Sequence, residues 1–549
     1  MQIIIPMSGY GERFRRAGYK VPKPMIEVDG KAIIEHVVSM FPNETAITFI
    51  CNRDHLADPT FRMREIIEKC CPTGRIIGIA PHSLGPVNAV LQAAELIYHD
   101  EPVIVNYCDF TCFWDYHEFK RFVEDSSCDG AIPCYTGFHP HLLRSTNFAY
   151  VKEVDGHVID IQEKMPFTET PMREFASSGT YYFRSGALLL QYLERSMRPD
   201  LIINGEFYVS MAYKPMLEDA LSVSVFPIQH FMQWGTPEDL VEYRYFSKMF
   251  RMMIRPQSVS KQKGSVMVPM AGLGSRFTNE GYIQSKPLIQ VSGKSMAVQA
   301  VSDLAQADHY VFILRSDMPG LNEISTVLKN EFDESQLVFL SELSDGQAST
   351  CLSAMDAVDP HLPLTIGACD NGAIYDAQTI EAILADDSTD VVVWVARGYP
   401  GAVACPSMYG WVEVEGDRVI SISVKTPLAD PSKDPIVTGT FTFKRASDFE
   451  LAVNRMIERG GLVNGEFYVD TCINDAIAIG LRVRTFEVDS YLCWGTPEDL
   501  KRFEYWQSCF HKWEGHLYRL ELDHNIPDVT LTDLESKYAK FTVTSRHKE

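Results

Sequence analysis

The first residues of the sequence whose types and spacing could perform chemistry are glycines followed by cations. Gly9, Gly11 and Arg13 come directly after the apolar run Gln2–Met7, and Lys23 follows them. Glycines allow backbone N–H groups to approach phosphate oxygens closely, and the two cations can neutralise charge on a triphosphate. The third glycine of a dinucleotide fingerprint and the Gly-Lys-Ser/Thr of a P-loop are both missing from this segment. The spacing therefore predicts a triphosphate-binding turn of another kind.

This segment and several later ones occur twice in the same order. Gly272, Gly274, Arg276 and Lys286 repeat the four residues at a spacing of 263 positions. The block NGEFYV returns from 204–209 at 464–469, and WGTPEDL returns from 234–240 at 494–500. Self-similarity of this kind is the mark of a duplicated structural unit. We therefore predict domains at 1–250 and 265–513, a linker at 251–264 and a C-terminal tail at 514–549.

An aspartate ends a predicted strand in each copy. Asp109 follows the apolar run VIVNYC, and Asp370 follows LTIGAC. A carboxylate at the end of a buried strand is costly unless it is paired or bound to a metal. Mg²⁺ needs only one or two carboxylates and completes its shell with phosphate oxygens and water. The two aspartates are thus candidate magnesium ligands.

These segments resemble the signature of the sugar-phosphate nucleotidylyltransferases, in which a strand is followed by GxGxRF and then by Lys-Pro. Here the first copy has GYGERF with Lys23 and Pro24, and the second has GLGSRF with Lys286 and Pro287. The resemblance covers nearly all of both halves. It implies that each glycine-rich turn wraps a nucleoside triphosphate, that Mg²⁺ is the cofactor, and that the arginine and lysine stabilise the α-phosphate under attack. The implied catalytic residues are Arg13, Lys23, Arg276 and Lys286.

The resemblance also implies roles for residues elsewhere in each copy. The implied nucleotide-binding residues are Gly9, Gly11, Gly85, Gly272, Gly274 and Gly346. The implied acceptor-binding residues are Glu163, Lys164, Gly179, Lys425 and Gly439. The metal candidates are Asp109, Asp370, Glu206, Glu466 and Asp470, where the last three are alternatives for a second ligand because NGEFYV matches the family imperfectly. Val424 stands where the first copy has Glu163, and Ser210 where the second has Asp470, so we expect the two sites to differ in acceptor or only one to be fully competent.

The reaction implied by the resemblance joins a nucleoside triphosphate to a phosphorylated acceptor, such as a sugar 1-phosphate, and releases pyrophosphate. The nucleotide-sugar product would serve as a precursor for surface polysaccharide synthesis. Two alternatives stay open. One is a nucleotide-sugar-dependent glycosyltransferase, although the DxD pattern of those enzymes is missing at Asp109 and Asp370. The other is a regulatory or scaffold protein in which one or both domains only bind nucleotide. The sequence identifies neither the base nor the acceptor.

Short apolar runs alternate with amphipathic segments throughout each copy. This pattern predicts an α/β fold with two tandem Rossmann-like, glycosyltransferase-A-like domains that have mixed, mostly parallel central sheets. Ligands on such sheets bind at the carboxyl ends of the strands, where the repeated segments fall. Thr236 and Thr496 are predicted to cap the helix that begins in WGTPEDL.

Charge and composition narrow the range of partners. Fifty basic and 73 acidic side chains give a formal charge of −23, which disfavours a nucleic-acid partner. No apolar run approaches the roughly 20 residues that span a bilayer, and the N-terminus lacks a signal-peptide pattern. Thirteen cysteines without a CxxC pair favour reduced thiols. We therefore expect a cytoplasmic enzyme without a membrane partner, and a homo-oligomer stays open.

Overall fold

The computed structural model describes residues 1–539 and divides into two compact units whose boundary lies within one helix. The first unit covers Met1–Arg244, and the second begins at Tyr245. The helix Pro237–Met253 crosses this boundary. The predicted first domain, 1–250, is therefore six residues longer than the first unit.

The predicted linker at 251–264 is only partly a linker in the structure. The helix continues to Met253, and a strand begins at Lys261. Phe246, Met249, Phe250 and Met253 are buried and follow the helical spacing i, i+3, i+4 and i+7. Because this apolar face continues past residue 250, the segment outside both elements shrinks to 254–260.

A ten-stranded mixed sheet forms the centre of the first unit. Its order from edge to edge is Phe175–Ser177, Ala149–Val154, His157–Glu163, Val223–Pro227, Gly130–Tyr135, Thr180–Phe183, Val103–Asn106, Gln2–Met7, Ile47–Asn52 and Arg75–Ile79. Two small ribbons pair Glu27–Val28 with Lys31–Ala32 and Phe110–Phe113 with His230–Gln233.

The second unit repeats this order with nine strands. From edge to edge they are Gly410–Glu415, Arg418–Val424, Val483–Glu487, Val391–Ala396, Ile436–Phe443, Leu364–Ile366, Lys261–Pro269, Gln306–Arg315 and Ser335–Leu340. The single strand Ile436–Phe443 takes the place of two short strands of the first sheet. The matching ribbons pair Gln290–Val291 with Lys294–Ser295 and Asn371–Ile374 with Ser490–Cys493.

Both sheets are mixed, as expected, but they are not mostly parallel: four of the nine neighbouring strand pairs are parallel in the first sheet and four of the eight in the second. The parallel part of each sheet contains the predicted nucleotide site. Gln2–Met7 pairs in parallel with Ile47–Asn52 and Val103–Asn106. Every residue of these three strands is buried, which explains their unbroken apolar runs. The next strand, Thr180–Phe183, is antiparallel to Val103–Asn106. The glycine-rich turn and Asp109 therefore lie after the carboxyl ends of adjacent parallel strands.

Helices cover the sheets. Those beginning in the first unit are Glu12–Arg16, Ile33–Ser39, Arg53–Ala57, Met63–Cys70, Pro86–Leu91, Tyr116–Ser126, Gly186–Ser196, Tyr213–Glu218 and Pro237–Met253. Those of the second are Ser275–Asn279, Met296–Ser302, Leu321–Glu331, Gln347–Leu352, Ala377–Ala385, Pro400–Ala404, Ala446–Glu458, Val469–Ala478, Pro497–Lys512 and Asp528–Ala539. Within residues 1–539, no helix combines the length and apolar character needed to cross a membrane.

The described part of the C-terminal tail packs on the second unit. Gln507, which is fully buried in Pro497–Lys512, donates hydrogen bonds to the hydroxyls of Tyr518 and Ser292. The buried Tyr538 hydroxyl donates to the amide oxygen of Gln507. These bonds join the tail to the helix and to the ribbon that follows Lys286. Residues 540–549 of the predicted tail lie outside the described residues.

Candidate active sites

The glycine-rich turns have the same backbone geometry in both domains. Gly11 is the N-cap residue of the helix Glu12–Arg16 and has φ +66°, and Gly274 is the N-cap residue of the helix Ser275–Asn279 and has φ +63°. This left-handed conformation suits glycine, because a side chain would be strained there. A Cβ on Gly9 would meet no other atom within 4 Å, so this part of the turn borders open space. The turn can therefore admit a phosphate close to its backbone.

A lysine and an aspartate from distant segments form an ion pair in each domain. Nζ of Lys23 lies 2.8 Å from Oδ2 of Asp109, and Nζ of Lys286 lies 2.5 Å from Oδ2 of Asp370. Burial alone would lower the pKa of Lys23, but the charge of Asp109 outweighs it and the pKa is raised. The pKa of Lys286 is raised by Asp370 in the same way against burial. Both lysines are therefore held as cations at the predicted metal ligand.

The first domain gathers most of its predicted nucleotide residues around one cavity of about 460 Å³. The predicted residues in its lining are Gly9, Gly11, Arg13, Lys23, Gly85, Asp109 and Glu206. Glu163, Lys164 and Gly179 lie outside this lining. His82, Tyr107 and Tyr208 also line the cavity and were not predicted. The cavity thus runs from the glycine-rich turn past the Lys–Asp pair to the turn at Gly85.

The second domain has a cavity of about 400 Å³ on a different side of its Lys–Asp pair. The predicted residues in its lining are Arg276, Lys286, Asp370, Gly439 and Asp470. Gly272, Gly274, Gly346, Lys425 and Glu466 lie outside this lining. Cys405, Asp499 and Arg502 line the cavity but were not predicted. This cavity therefore reaches the predicted acceptor side.

The NGEFYV block fastens the turn that was predicted to contact the base. The N–H of Phe207 donates to the carbonyl of Leu84, and the N–H of Val87 donates to the carbonyl of Phe207. A Cβ on Gly85 would lie 2.8 Å from that carbonyl oxygen, so only glycine fits. Phe467 makes the same bonds with Asp345 and Ala348 around Gly346 in the second domain. In both copies this block therefore shapes the turn at the start of the helix.

A tyrosine joins the predicted acceptor lysine to the predicted second metal carboxylate. Nζ of Lys164 lies 2.5 Å from the Tyr208 hydroxyl, which donates to Glu206. Lys425 lies 2.8 Å from the Tyr468 hydroxyl in the second domain. The two lysines have left-handed backbones, with φ +61° and +59°. This conformation is uncommon for a side-chain-bearing residue and tends to occur at functional sites. The tyrosine was present in both copies of NGEFYV, but its partner could not be inferred from its position.

Each domain buries one further carboxylate on the acceptor side. Oγ of Ser210 donates a 2.6 Å hydrogen bond to Glu163, and burial raises the pKa of Glu163 to about 7. In the second domain Val424 replaces this glutamate, and burial raises the pKa of Asp470 to about 6. The position with the carboxylate therefore differs between the domains.

The WGTPEDL turn lies against the candidate metal aspartates. The N–H of Trp234 donates to the carbonyl of Asp109, and the N–H of Trp494 donates to that of Asp370. The predicted caps are confirmed at both positions, since the Thr236 hydroxyl accepts from the N–H of Asp239 and the Thr496 hydroxyl from that of Asp499. A Cβ on Gly235 would lie 2.7 Å from Nε2 of Gln233 and 2.9 Å from Oδ2 of Asp109. The side-chain amide of Gln233 therefore lies close to the Asp109 carboxylate. Gln233 was missed because only its pairing with Phe110 across a ribbon brings it there.

No group of three or more histidine, cysteine, aspartate or glutamate side chains suited to a metal occurs within residues 1–539. The first domain offers the Asp109 carboxylate, with Glu206 on the same cavity, and the second offers the Asp370 carboxylate. Such sets of one or two oxygen ligands fit Mg²⁺, because the remaining positions of its shell are filled by water and substrate phosphates. Cys493 of the second domain takes the position of Gln233 in the first, so that a thiol lies near Asp370 and an amide lies near Asp109.

Several solved structures are similar to part of the chain. A nucleoside-diphosphate-sugar pyrophosphorylase from Vibrio cholerae RC9 shares 20% identity over 43% of this chain and 98% of its own, with a TM-score of 0.36. The inositol-1-phosphate CTP transferase from T. maritima shares 14% identity over 46% of this chain and 96% of its own, with a TM-score of 0.36. A UDP-glucose pyrophosphorylase complexed with UDP-glucose shares 16% identity over 44% and 96%, with a TM-score of 0.35.

The sequence of the first domain also matches a family model. The matched residues are 2–242, and the family is described as nucleotidyl transferase. The match includes the glycine-rich turn, Lys23 and Asp109, which the structure brings together around one cavity. Residues 2–242 of this chain are therefore similar in sequence to the nucleotidyl transferase family.

Proposed function

We propose that each domain transfers a nucleotidyl group from a nucleoside triphosphate to the phosphate of a small acceptor and releases pyrophosphate. The observation that carries this proposal is the Lys–Asp pair beside a glycine-rich turn, which recurs at 2.8 Å in the first domain and 2.5 Å in the second. The family match of residues 2–242 supports it for the first domain. The repeated residues extend it to the second.

The bond changes balance without an enzyme-bound intermediate. An oxygen of the acceptor phosphate attacks the α-phosphorus, and the new P–O bond forms as the bond to the β-phosphate oxygen breaks. The leaving pyrophosphate takes the electron pair. Catalysis then rests on positioning the reactants and on stabilising developing charge.

The chain supplies groups for each of these tasks. Backbone N–H groups of the Gly9–Gly11 turn bind the triphosphate, while Arg13 and Lys23 stabilise charge at the α-phosphate. Lys164, held by Tyr208, binds the acceptor phosphate. Arg276, Lys286 and Lys425 act in the same way in the second domain. Asp109 and Asp370 would hold Mg²⁺, which when bound neutralises phosphate charge.

The proposal is tested with two single-site enzymes, made by Lys23→Ala and by Lys286→Ala in the full chain. Each is incubated with the four common nucleoside triphosphates and with hexose, heptose, polyol and amino-alcohol phosphates, and pyrophosphate release is measured. Lys69→Ala and Lys433→Ala remove exposed lysines and serve as controls. Nucleotide binding without pyrophosphate release from any pair would contradict the proposal and favour a scaffold role. Transfer from a nucleotide sugar would favour a glycosyltransferase.

A further inference from the structure

The acceptor sides of the two domains differ by exchanges that compensate one another. At the first exchange, Glu163 and Ser210 of the first domain correspond to Val424 and Asp470 of the second. One carboxylate is kept, but it moves from the end of a strand to the first turn of the helix Val469–Ala478. The change is therefore a relocation of charge rather than its loss.

A glycine makes room for the relocated carboxylate. A Cβ on Gly410 would overlap Oδ2 of Asp470. The corresponding residue of the first domain is Ala149, which is buried and pairs with Glu163 on the neighbouring strand, and Glu163 in turn accepts the hydrogen bond of Ser210. Asp470 and Gly410 thus occur together, as do Ser210 and Ala149. The absence of a side chain at Gly410 therefore provides the space that the Asp470 carboxylate occupies.

The second exchange moves a guanidinium group. In the first domain Arg144 forms ion pairs with Asp239 and Glu242, which lie one turn apart on the helix Pro237–Met253. In the second domain Arg502 replaces Glu242, and it lies 3.6 Å from Asp499. The segment aligned with Arg144 contains Ala404 and Cys405 instead.

This second exchange changes the space available near the acceptor. In the first domain the Arg144 side chain reaches from its loop to the helix Pro237–Met253, where Asp239 and Glu242 neutralise its positive charge. In the second domain, Ala404, Cys405 and Arg502 line the same cavity as Asp370 and Asp470. One cavity therefore connects the candidate metal aspartate with a guanidinium group, with the three further carboxylates of Asp470, Glu498 and Asp499, and with the small side chains of Ala404 and Cys405.

We propose that Asp470 and Arg502 form an acceptor subsite found in the second domain alone, which binds the hydroxyl-rich end of a sugar phosphate or polyol phosphate longer than the acceptor of the first domain. The carboxylates of Asp470 and Asp499 accept hydrogen bonds from hydroxyl groups, and Arg502 donates to hydroxyl or ring oxygens. The Asn371 amide, which replaces Phe110 of the first domain, adds a polar group beside Asp370. This inference rests on the proposed transferase function.

The kinetic test uses the second-domain enzyme, in which Lys23→Ala silences the first domain. Asp470→Ser and Arg502→Leu should each raise the acceptor KM roughly 10- to 100-fold, because one charged hydrogen-bonding group is lost. The KM for the nucleoside triphosphate should stay unchanged. Gly410→Ala should reproduce the effect of Asp470→Ser, since it displaces the carboxylate without removing it. Arg484→Leu, which removes an arginine paired with Asp417 and Asp386 away from the cavity, is the matched control.

A chemical test guards against variants that fail to fold. Cys405 is exposed and lines the cavity, so its alkylation by iodoacetamide can be followed by peptide mass spectrometry. With an α,β-methylene nucleoside triphosphate bound, a glucose 1-phosphate or sugar-alcohol phosphate that supports turnover should slow alkylation of Cys405. Ala404→Arg, which rebuilds the bulk that Arg144 provides in the first domain, should abolish both the protection and the use of the longer acceptor.

The outcomes separate this inference from the function on which it rests. Pyrophosphate release with unchanged acceptor KM in both Asp470→Ser and Arg502→Leu, together with unprotected Cys405, would overturn the subsite alone. Absence of release from every acceptor by both single-site enzymes would contradict the transferase reaction and the subsite together. Loss of the longer acceptor only in second-domain variants, with Ser210→Ala affecting only the first domain, would support it.

Discussion

Nζ of Lys23 donates a 2.8 Å hydrogen bond to Oδ2 of Asp109, although the two residues are 86 positions apart in the chain. The pair joins the group expected to stabilise the α-phosphate to the group expected to hold Mg²⁺. Because Asp109 raises the pKa of Lys23 against the effect of burial, the lysine stays charged before substrate arrives. Binding of a triphosphate would give Lys23 a second anionic partner at the same place.

Lys23→Ala is expected to abolish the activity of the first domain and to leave that of the second intact, while Lys286→Ala does the reverse. Loss of one preorganised cation at a developing charge lowers the rate roughly 100- to 1,000-fold. Pyrophosphate release is measured at saturating substrates for each variant and for the double variant. Activity near that of the unaltered chain in the double variant would contradict the assignment.

Removal of divalent cations is expected to stop turnover in both domains. One arginine and one lysine cannot neutralise a triphosphate together with an acceptor phosphate, so excess chelator should abolish pyrophosphate release and added Mg²⁺ should restore it. Asp109→Asn in the first-domain enzyme and Asp370→Asn in the second-domain enzyme should have the same effect. Asp100→Asn, at an exposed position, is the control. Full activity in chelator would rule out the metal requirement.

Glu163 is expected to make the first domain sensitive to pH near neutrality. Burial raises its pKa to about 7, so the side chain becomes neutral as pH falls through that value and accepts hydroxyl hydrogen bonds less well. The acceptor KM of the first-domain enzyme should therefore rise below pH 7, and Glu163→Gln should remove this dependence. Ser210→Ala removes a hydrogen bond that favours the charged form, so it should move the midpoint upward. A profile that is the same in all three proteins would exclude Glu163 as its source.

The same carboxylate should also affect the stability of the first domain. Its pKa in the folded state lies above the ordinary value of 4.5, so the folded state binds more protons and stability falls as pH rises from 4.5 to about 7. The loss is on the order of 3 kcal/mol for a shift of this size. Denaturant unfolding of the unaltered chain and of Glu163→Gln at pH 5 and pH 8 measures it. Equal changes in the two proteins would place the effect elsewhere.

Fragments 1–244 and 245–549 are each expected to fold alone, since each contains a complete sheet. Fragment 254–549 should be less stable than 245–549 because it lacks Phe250, which contacts Phe503, Phe510 and Tyr518. Phe250→Ala in the longer fragment should cost about 3–5 kcal/mol, as for other buried phenylalanines. Thermal unfolding checks both comparisons. Insoluble fragments, with a single cooperative transition in the intact chain, would show that the halves fold only together.

The sequence alone determined the duplication and the α/β class, and it predicted the residues that the structure gathers around the cavity of the first domain. Repetition was informative because the glycine-rich turn, Lys23 and Asp109 obey local rules: they follow buried strands, and strand ends of a parallel sheet meet at one edge. The Lys–Asp pair recurs in both domains because the sheets have the same strand order. The helical face at 245–253 was also readable in principle, since its buried residues follow the ordinary helical spacing, but the linker was predicted over part of it.

Only the tertiary structure decided what surrounds the acceptor side. The contact of Lys164 with Tyr208 spans 44 positions, and that of Glu163 with Ser210 spans 47. Neither follows from local spacing, because each depends on how a helix or loop packs against the end of a strand. The sequence showed that Val424 and Asp470 differ from their counterparts. It could not show that the differences compensate, because compensation requires that the side chains from two separate elements reach the same place.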